Sequence, residues 1–397
     1  MKWRALLVIA FAELLAMGVW FSASAVVPLL TQEWQLDEAG RAWLTISVQL
    51  GFVAGGLVSA MLNLADRLPA RAFFAISALL AGASTALIPA AVASLGPALA
   101  LRFATGFFLA GVYPMGMKVM ATWTKEDRGL ALGLLVGATT LGSAAPHLLR
   151  AGAIADWRAV LYGSALLALA GALAGGFFVR EGPYRMDAPR FEWRYAARLR
   201  RQPALLLAFG GYLGHMWELY AMWSWMPVFV AASFAAAGAG PRKAAVVAFL
   251  GIAAGAPGSL LAGRLADRFG RTLVTSGSML ASGACSLAIG LLYGASPVAV
   301  AAMCILWGFT VVADSAQFSA AGTELCEREY SGTVLTLQTA AGFMLTAATI
   351  RLIPFLEARI GWRWAFAPLA LGPVCGIAAM LWLRGRPEAV RVAGGRR

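Results

Sequence analysis

Long apolar stretches, separated by short polar segments, account for most of this chain. Twelve of them are long enough for a helix that crosses a bilayer, which takes about 20 predominantly apolar residues. They cover residues 5–30, 42–63, 72–93, 96–121, 129–150, 159–179, 203–230, 244–263, 273–293, 297–322, 332–355 and 364–383. No stretch alternates regularly between apolar and polar positions, as the strands of a membrane barrel do. The pattern therefore predicts an all-α membrane protein with twelve transmembrane helices.

Short motifs recur in the second half of the chain at a nearly constant offset. The segment LADRL at 64–68 returns as LADRF at 265–269, an offset of 201 residues. The segment DWR at 156–158 returns as GWR at 361–363, and DRG at 127–129 has a weaker counterpart in YSG at 330–332. Such an internal repeat predicts two pseudo-symmetric six-helix halves of parallel topology. We place the first half at 1–180, a central loop at 181–202 and the second half at 203–397.

Positive charge lies mainly in one set of loops. The chain has 32 Lys and Arg against 19 Asp and Glu, which gives a formal net charge of +13. If the N-terminus is placed in the cytoplasm, most basic residues fall on the cytoplasmic side, as the positive-inside rule requires. An even number of spans then puts both termini in the cytoplasm. Membrane lipids therefore account for the basic excess, and we expect no nucleic-acid partner.

The composition also restricts the class of protein. Hydrophobic residues make up 60% of the chain and charged residues 13%, which excludes a soluble enzyme, a disordered chain and a nucleic-acid-binding domain. The sequence contains neither a GxxxxGK[ST] phosphate-binding loop nor an HExxH zinc motif, and its four cysteines form no CxxC pair. We therefore expect a protein that is not an enzyme, that has no cofactor or metal, and that does not use ATP directly.

One loop carries a specific motif. The segment GRLADRFGR at 263–271 supplies Gly263, Asp267, Arg268, Gly270 and Arg271, and a degraded copy after the second span keeps Asp66, Arg67 and Arg71. The fourth span contains RFATG at 102–106, and the fifth contains Gly133, Gly142 and Pro146. An Asp at a helix end can cap a neighbouring helix, and the arginines can pair with it or with lipid phosphates.

These motifs resemble those of the major facilitator superfamily of secondary transporters. The loop segment resembles the family's G-x-L-A-D-R-x-G-R motif, and 102–106 resembles its R-x-x-x-G motif, which is linked to proton coupling. The glycines of span five resemble, more weakly, a motif of the antiporter branch. The resemblance implies alternating access in a bacterial inner membrane, a monomer, and a gating role for the loop motif. The family usually keeps its better loop copy in the first half, and this chain has it in the second.

Ionisable residues inside spans are costly and usually functional. Five such residues are candidates for proton coupling: Glu13, Arg102, His215, Glu218 and Asp314. Glu13 and Arg102 could form a direct pair, because spans one and four line one cavity in the family's fold. His215 and Glu218 are three residues apart and so share a helical face. They could exchange protons near neutral pH or form a buried hydrogen-bonded brace.

Polar and aromatic residues near the middle of spans are candidates for contact with substrate. They are Tyr113, Trp217, Tyr220, Gln317, Trp20, Gln49 and Gln338. Aromatic residues in membrane helices are more often packing or interface residues than ligand contacts.

The sequence leaves the cargo open between several hypotheses. The first is uptake of a small organic or inorganic anion by proton symport, helped by Arg102. The alternative is proton-antiport efflux of a cationic or amphipathic compound, which the carboxylates within the spans favour. Uptake of monovalent copper is a minor alternative, suggested by Met222 and Met226 near His215. A membrane sensor or assembly factor that transports nothing would be a different class of protein.

Overall fold

The described chain is helical and has twelve helices that can cross a membrane. A computed structural model describes residues 2–124, 128–153, 156–184, 192, 195, 198, 199 and 201–397, without the side chains of Asp66, Arg128 and Arg328. Within these residues there is no β-strand. In chain order, spans 1 to 12 cover Lys2–Trp34, Glu38–Met61, Ala70–Ala91, Leu95–Ala121, Gly129–Gly152, Trp157–Phe178, Pro203–Ala236, Pro241–Phe269, Arg271–Leu292, Pro297–Leu325, Ser331–Ile360 and Trp362–Arg384. The predicted number of spans and their approximate positions are confirmed.

Several spans are interrupted near their middle. Span 1 consists of helices Lys2–Met17 and Ser22–Trp34, and span 8 of Pro241–Ala253 and Gly255–Phe269. Span 4 consists of Leu95–Leu109 and Tyr113–Ala121, and span 10 of Pro297–Ala313 and Ser315–Leu325. The breaks in spans 4 and 10 lie at about the offset of the sequence repeat.

The remaining elements are short. Helix Leu64–Arg67 follows span 2, helix Trp362–Ala365 opens span 12, and helix Leu371–Arg384 completes it. Four 3₁₀ helices occupy Ile289–Leu292, Arg328–Tyr330, Ala367–Ala370 and Pro387–Gly395. Because the chain crosses the membrane with every span, alternate loops lie on one face. We call the face with the 263–271 loop the motif side and the other face the opposite side.

Glycines allow spans to approach closely at matching places in the two halves. A Cβ on Gly106 of span 4 would lie 1.9 Å from the Val48 carbonyl oxygen of span 2. A Cβ on Gly308 of span 10 would lie 1.5 Å from the Gly251 carbonyl oxygen of span 8. Any larger residue would collide with the neighbouring backbone, so both contacts depend on glycine.

Contacts between the first six and the last six spans close the opposite side. Glu38 of span 2 lies 3.8 Å from both Arg351 and Arg359 of span 11, and Arg41 lies 3.8 Å from Glu357. These pairs all join span 2 to span 11.

Spans 5 and 8 form the second junction between the halves. On the opposite side, Arg242 Nε donates to the Ala151 carbonyl oxygen at 3.1 Å. Toward the motif side, Ser259 Oγ donates to the Gly133 carbonyl oxygen at 3.2 Å. This junction therefore stays packed along its length.

Candidate functional site

A cavity of about 750 Å³ lies between the two halves and reaches the loops of the motif side. Its walls come from spans 2, 4 and 5 of the first half and spans 10 and 11 of the second, with Asp267 at the end of span 8 and Arg271 at the start of span 9. The wall residues include Phe52, Val53, Leu57, Ala110, Pro114, Met117, Leu132, Ser319, Thr323, Leu335, Thr336 and Thr339. Asn63, Tyr184 and Arg396 line it at the loops. Since the opposite side is closed, this conformation is open to the motif side alone.

Six aromatic rings meet at the inner end of this cavity. We call them the aromatic cluster: Trp20, Phe21 and Phe52 from the first half, and Tyr220, Trp223 and Phe343 from the second. Ring centroids lie 4.8 Å apart for Phe52 and Trp20, 4.8 Å for Phe52 and Phe343, and 4.9 Å for Tyr220 and Phe343. Phe21 joins Trp223 at 5.5 Å. The cluster therefore spans the boundary between the halves.

Arg102 is fully buried and binds the broken part of span 1. Its guanidinium donates to the carbonyl oxygens of Val19, at 2.9 Å, and Trp20, and to Ser22 Oγ at 3.1 Å. Its Nε donates to the Leu44 carbonyl oxygen at 3.3 Å. A helix interruption disturbs the regular backbone hydrogen bonds, and Arg102 donates to two carbonyls there, of which Val19 O also accepts from Ser22 Oγ at 2.9 Å.

The direct pair that Glu13 and Arg102 could form does not occur. Glu13 lies a turn and a half before the break in span 1 and is fully buried. Its Oε1 accepts a long bond of 3.5 Å from Thr139 Oγ1, while Oε2 has no hydrogen-bond partner among the described residues. A Cβ on Gly116 would lie 2.7 Å from Oε2, so glycine makes room for the carboxyl. Arg102 instead donates to the Val19 and Trp20 carbonyls within the break.

His215 and Glu218 share a buried helical face but have different partners. His215 Nδ1 lies 2.8 Å from Asp314 Oδ1, and its Nε2 lies 2.9 Å from Ser315 Oγ. Asp314 Oδ1 accepts no well-directed hydrogen bond from any described residue, so the first contact has the distance of an ion pair without the alignment of a hydrogen bond. The pair lies at the interruption of span 10.

Glu218 is held by two other donors. Ser282 Oγ donates to its Oε2 and Trp307 Nε1 to its Oε1, both at 2.7 Å. The residues of this group are buried. A His215–Glu218 brace is therefore absent, because His215 contacts Asp314 and Ser315 of span 10, whereas Glu218 accepts from Ser282 of span 9 and Trp307 of span 10.

The predicted substrate residues lie outside the open cavity. Trp217 Nε1 donates to the Pro368 carbonyl oxygen at 3.1 Å, and Gln317 Oε1 accepts from Arg271 at 2.6 Å. Gln338 approaches the Phe318 carbonyl oxygen at 3.5 Å. None of the seven lines the cavity, although Pro114, next to Tyr113, does. Trp20 and Tyr220 belong to the aromatic cluster, and substrate contact by all seven stays a prediction.

The loop motif forms contacts at the motif side of the cavity. Arg271 makes a two-pronged ion pair with Glu324, at 2.6 and 2.9 Å, and both line the cavity. A Cβ on Gly129, at the start of span 5, would lie 2.9 Å from Asp267 Oδ2, so this carboxyl faces the neighbouring helix start. Gly270 has a φ of 93°, a conformation that favours glycine.

The other motif residues contribute less to this site. Arg268 lies over the Phe269 ring at 5.1 Å, Gly263 is buried, and Arg67 and Arg71 are exposed. The side chain of Asp66 lies outside the described residues, as does most of the central loop.

Sequence reasoning missed several cavity residues. Leu57, Leu335 and Met117 resemble ordinary membrane-helix residues, and only the rotation of their spans brings them to the cavity. Glu324 could be interpreted as a residue at a span end with its charge in the interface. The position of Glu324 in the sequence does not indicate that it pairs with Arg271.

Twelve spans around a central cavity open to one side define a membrane transport protein. The chain belongs to the Major Facilitator Superfamily, whose family model matches residues 9–350. It is therefore a secondary transporter and not an enzyme.

Solved structures with the same fold agree with this membership. One is a bacterial homolog to the human lysosomal transporter Spinster, in an inward-facing and unoccupied conformation, with a TM-score of 0.69 and 15% identity. The alignment covers 96% of this chain and 95% of that chain. The same homolog in an inward-facing and occupied conformation gives a TM-score of 0.67 at 15% identity, over 96% of this chain and 94% of that chain. No curated protein sequence matches the chain.

Proposed function

We propose that the protein takes up an anion together with protons. The observation that carries this proposal is that the buried carboxyls of Glu13 and Glu218 are held apart from the buried guanidinium of Arg102. Within the described residues, neither Glu13 nor Glu218 has a basic side chain at ion-pair distance, and Arg102 has no carboxylate there. All three are at most 1% exposed.

An unpaired charge in such surroundings is costly. Protons on Glu13 and Glu218 remove two negative charges, and a bound anion compensates the guanidinium of Arg102. With the anion and both protons bound, none of these three buried groups is left with an uncompensated charge. Each then raises the affinity for the other, which is the thermodynamic requirement for symport.

His215 and Asp314 supply a third place for a proton. An imidazole can change its charge near neutral pH, and here it lies 2.8 Å from a carboxyl at the interruption of span 10. A change of charge in this pair would alter the attraction between spans 7 and 10. Span 10 continues into the cavity wall at Ser319 and Thr323, so the pair can connect protonation with the shape of the cavity.

We further propose that the motif side faces the cytoplasm of a bacterial cell and that the protein acts as a monomer. The concentration of basic residues in the loops of that side supports the orientation. The halves and central loop remain those predicted at 1–180, 181–202 and 203–397.

Proton movement in proteoliposomes tests the proposal. A pH-sensitive dye is enclosed, and benzenesulfonate, which stays anionic and crosses lipid poorly, or nitrate is added outside. Symport acidifies the interior when an anion enters. Glu218→Gln and Glu13→Gln should abolish acidification yet leave exchange of labelled anion, whereas Glu388→Gln, a partly exposed control outside the spans, should change neither.

Two results would contradict it. Acidification in both glutamine variants at the rate of the unmodified protein would remove the carboxyls from coupling. Proton release from the interior on entry of tetraphenylphosphonium, with no response to anions, would establish antiport of cations instead.

A further inference from the structure

Two buried indole groups of the aromatic cluster have no hydrogen-bond acceptor. Trp20 and Trp223 are 2% and 3% exposed, and neither Nε1 has a partner within the described chain. Other tryptophans of the core are paired: Trp225 Nε1 donates to the Ile350 carbonyl oxygen at 2.8 Å, and Trp307 Nε1 to Glu218. Buried indoles normally find an acceptor. Two exceptions in one cluster of rings point to an acceptor from outside the chain.

A third donor lies one helical turn from the cluster. Gln49 precedes Phe52 by three residues in span 2 and so shares its helical face. Its side chain is fully buried, and neither amide atom has a hydrogen-bond partner in the part of the chain that the structure describes. An amide left in this state in a membrane protein costs free energy unless a ligand pairs with it.

The charge next to the cluster is positive. Arg102 donates to the carbonyl oxygens of Val19 and Trp20, so its guanidinium lies against the backbone that carries the Trp20 ring. No described carboxylate compensates it, and no member of the cluster is acidic. The local potential therefore favours an anion over a cation.

We propose that the aromatic cluster is the recognition site for the substrate, and that the substrate is an organic anion with a flat apolar body and an oxyanion head. The rings can pack against the apolar body, while the two indole N–H groups and the Gln49 amide can donate hydrogen bonds to the oxygens of the head. Phe52 both lines the cavity and contacts Trp20 and Phe343, so a solute entering the cavity meets the cluster at its inner end. A small inorganic anion would leave the rings without a contact.

This inference rests on the proposed anion transport and narrows its substrate. A substrate bound at the aromatic cluster would also affect the conformational change between the two halves. Three of the six rings belong to each half, so a ligand between them holds both halves. Opening on the other side of the membrane then requires the rings to rearrange around the ligand.

Binding measured by thermal shift and calorimetry tests the site. The probes are benzenesulfonate, the neutral benzenesulfonamide, the cation benzylamine, and nitrate. Trp20→Phe and Trp223→Phe remove an unpaired N–H but keep a ring, so the unliganded melting temperature should stay the same or rise. Each should weaken benzenesulfonate binding about tenfold, as expected for the loss of one hydrogen bond to a charged acceptor.

Trp225→Phe is the matched control. It removes an indole N–H that already donates to Ile350, two residues from Trp223 in the same span. We expect a lower melting temperature with unchanged affinity for benzenesulfonate. Binding of benzenesulfonate over the other three probes, lost in the first two variants and kept in the control, supports the site.

Other outcomes overturn the inference. It fails if benzenesulfonate does not bind, if benzylamine or nitrate binds more tightly, or if Trp20→Phe and Trp223→Phe bind it like the unmodified protein. Proton-coupled nitrate uptake that persists in both tryptophan variants would leave the proposed function intact while removing the aromatic cluster as its recognition site. Absence of any anion-linked proton movement would instead remove the proposed function.

Discussion

The Val19 carbonyl oxygen accepts a hydrogen bond of 2.9 Å from Arg102, although the residues lie 83 positions apart. The bond falls where span 1 is interrupted between Met17 and Ser22. A broken membrane helix leaves backbone carbonyls that only a side chain, a ligand or water can satisfy. Arg102 therefore fixes the shape of span 1 next to the aromatic cluster.

Replacing this arginine should destabilise the protein. Arg102→Ala removes the donors to three carbonyls and a hydroxyl, so we expect a loss of about 4 kcal/mol at roughly 1 kcal/mol per bond. Arg102→Lys should lose less stability than Arg102→Ala but should remain less stable than the unmodified protein, because an ammonium cannot reach all the acceptors. Thermal unfolding in detergent measures both. Arg71→Ala, at an exposed position, is the control, and equal melting temperatures for Arg71→Ala and Arg102→Ala would contradict the assignment.

The sequence predicts the spans well because their length and apolarity are local properties. It also predicts a functional role for Arg102 and Glu13, since charged residues are rare in membrane spans. It does not predict their partners. Arg102 could satisfy a carboxyl or a set of carbonyls, and the choice depends on where span 1 breaks. His215 meets Asp314 across 99 residues, and helix periodicity carries no information about that pair.

The rotation of each span is the second thing that the sequence leaves open. When a span is apolar on every side, its sequence does not show which face lines the cavity and which face contacts lipid. One further signal was present: Gly51 and Gly106 recur as Gly251 and Gly308, near the repeat offset. These glycines mark the close contacts of spans 2 with 4 and 8 with 10, and so could have indicated which faces meet.

Alanine at these close contacts should disrupt both halves. In Gly106→Ala and Gly308→Ala the added methyl would lie 1.9 and 1.5 Å from a backbone oxygen, so helices must move apart. We expect a loss of about 3 kcal/mol or more in each, since overpacking against backbone cannot relax through a rotamer change. Unfolding in detergent is the measurement. Gly277→Ala, with no atom within 4 Å of the added Cβ, should be neutral or stabilising by up to about 1 kcal/mol. Wild-type stability of Gly106→Ala would show that spans 2 and 4 lie farther apart.

The Arg271–Glu324 pair should contribute more to stability than an exposed pair. Arg271 is 8% exposed and also donates to Gln317, so removing Glu324 leaves a largely buried guanidinium short of acceptors. A double-mutant cycle of Arg271→Leu and Glu324→Leu should give a coupling of about 1–3 kcal/mol. The same cycle for Arg386 and Glu388, which lie 3.9 Å apart and are about one-third exposed, should give about 0.5 kcal/mol or less. Equal couplings would show that the cavity pair is solvated.

Ion pairs between spans 2 and 11 should favour the conformation that is open to the motif side. Glu38 lies 3.8 Å from both Arg351 and Arg359. Glu38→Lys would replace two attractions by two repulsions, a change of about 1 kcal/mol at an exposed site. The opposite side should then open more often, with a population change of about fivefold. The measurement is labelling by a bulky maleimide at Thr336→Cys in the cavity wall, after replacement of the four native cysteines, and the labelling rate should fall.

Glu33→Lys is the matched control for this experiment. Glu33 lies on the same side and pairs with Arg158 at 2.8 Å, but both residues belong to the first half. The same change of charge there alters no contact between halves, so labelling at residue 336 should keep its rate. If Glu33→Lys slows labelling as much as Glu38→Lys, surface charge rather than the junction of spans 2 and 11 controls the equilibrium. If neither variant changes the rate, the aromatic cluster and the packing of spans 5 and 8 hold this conformation without the ion pairs.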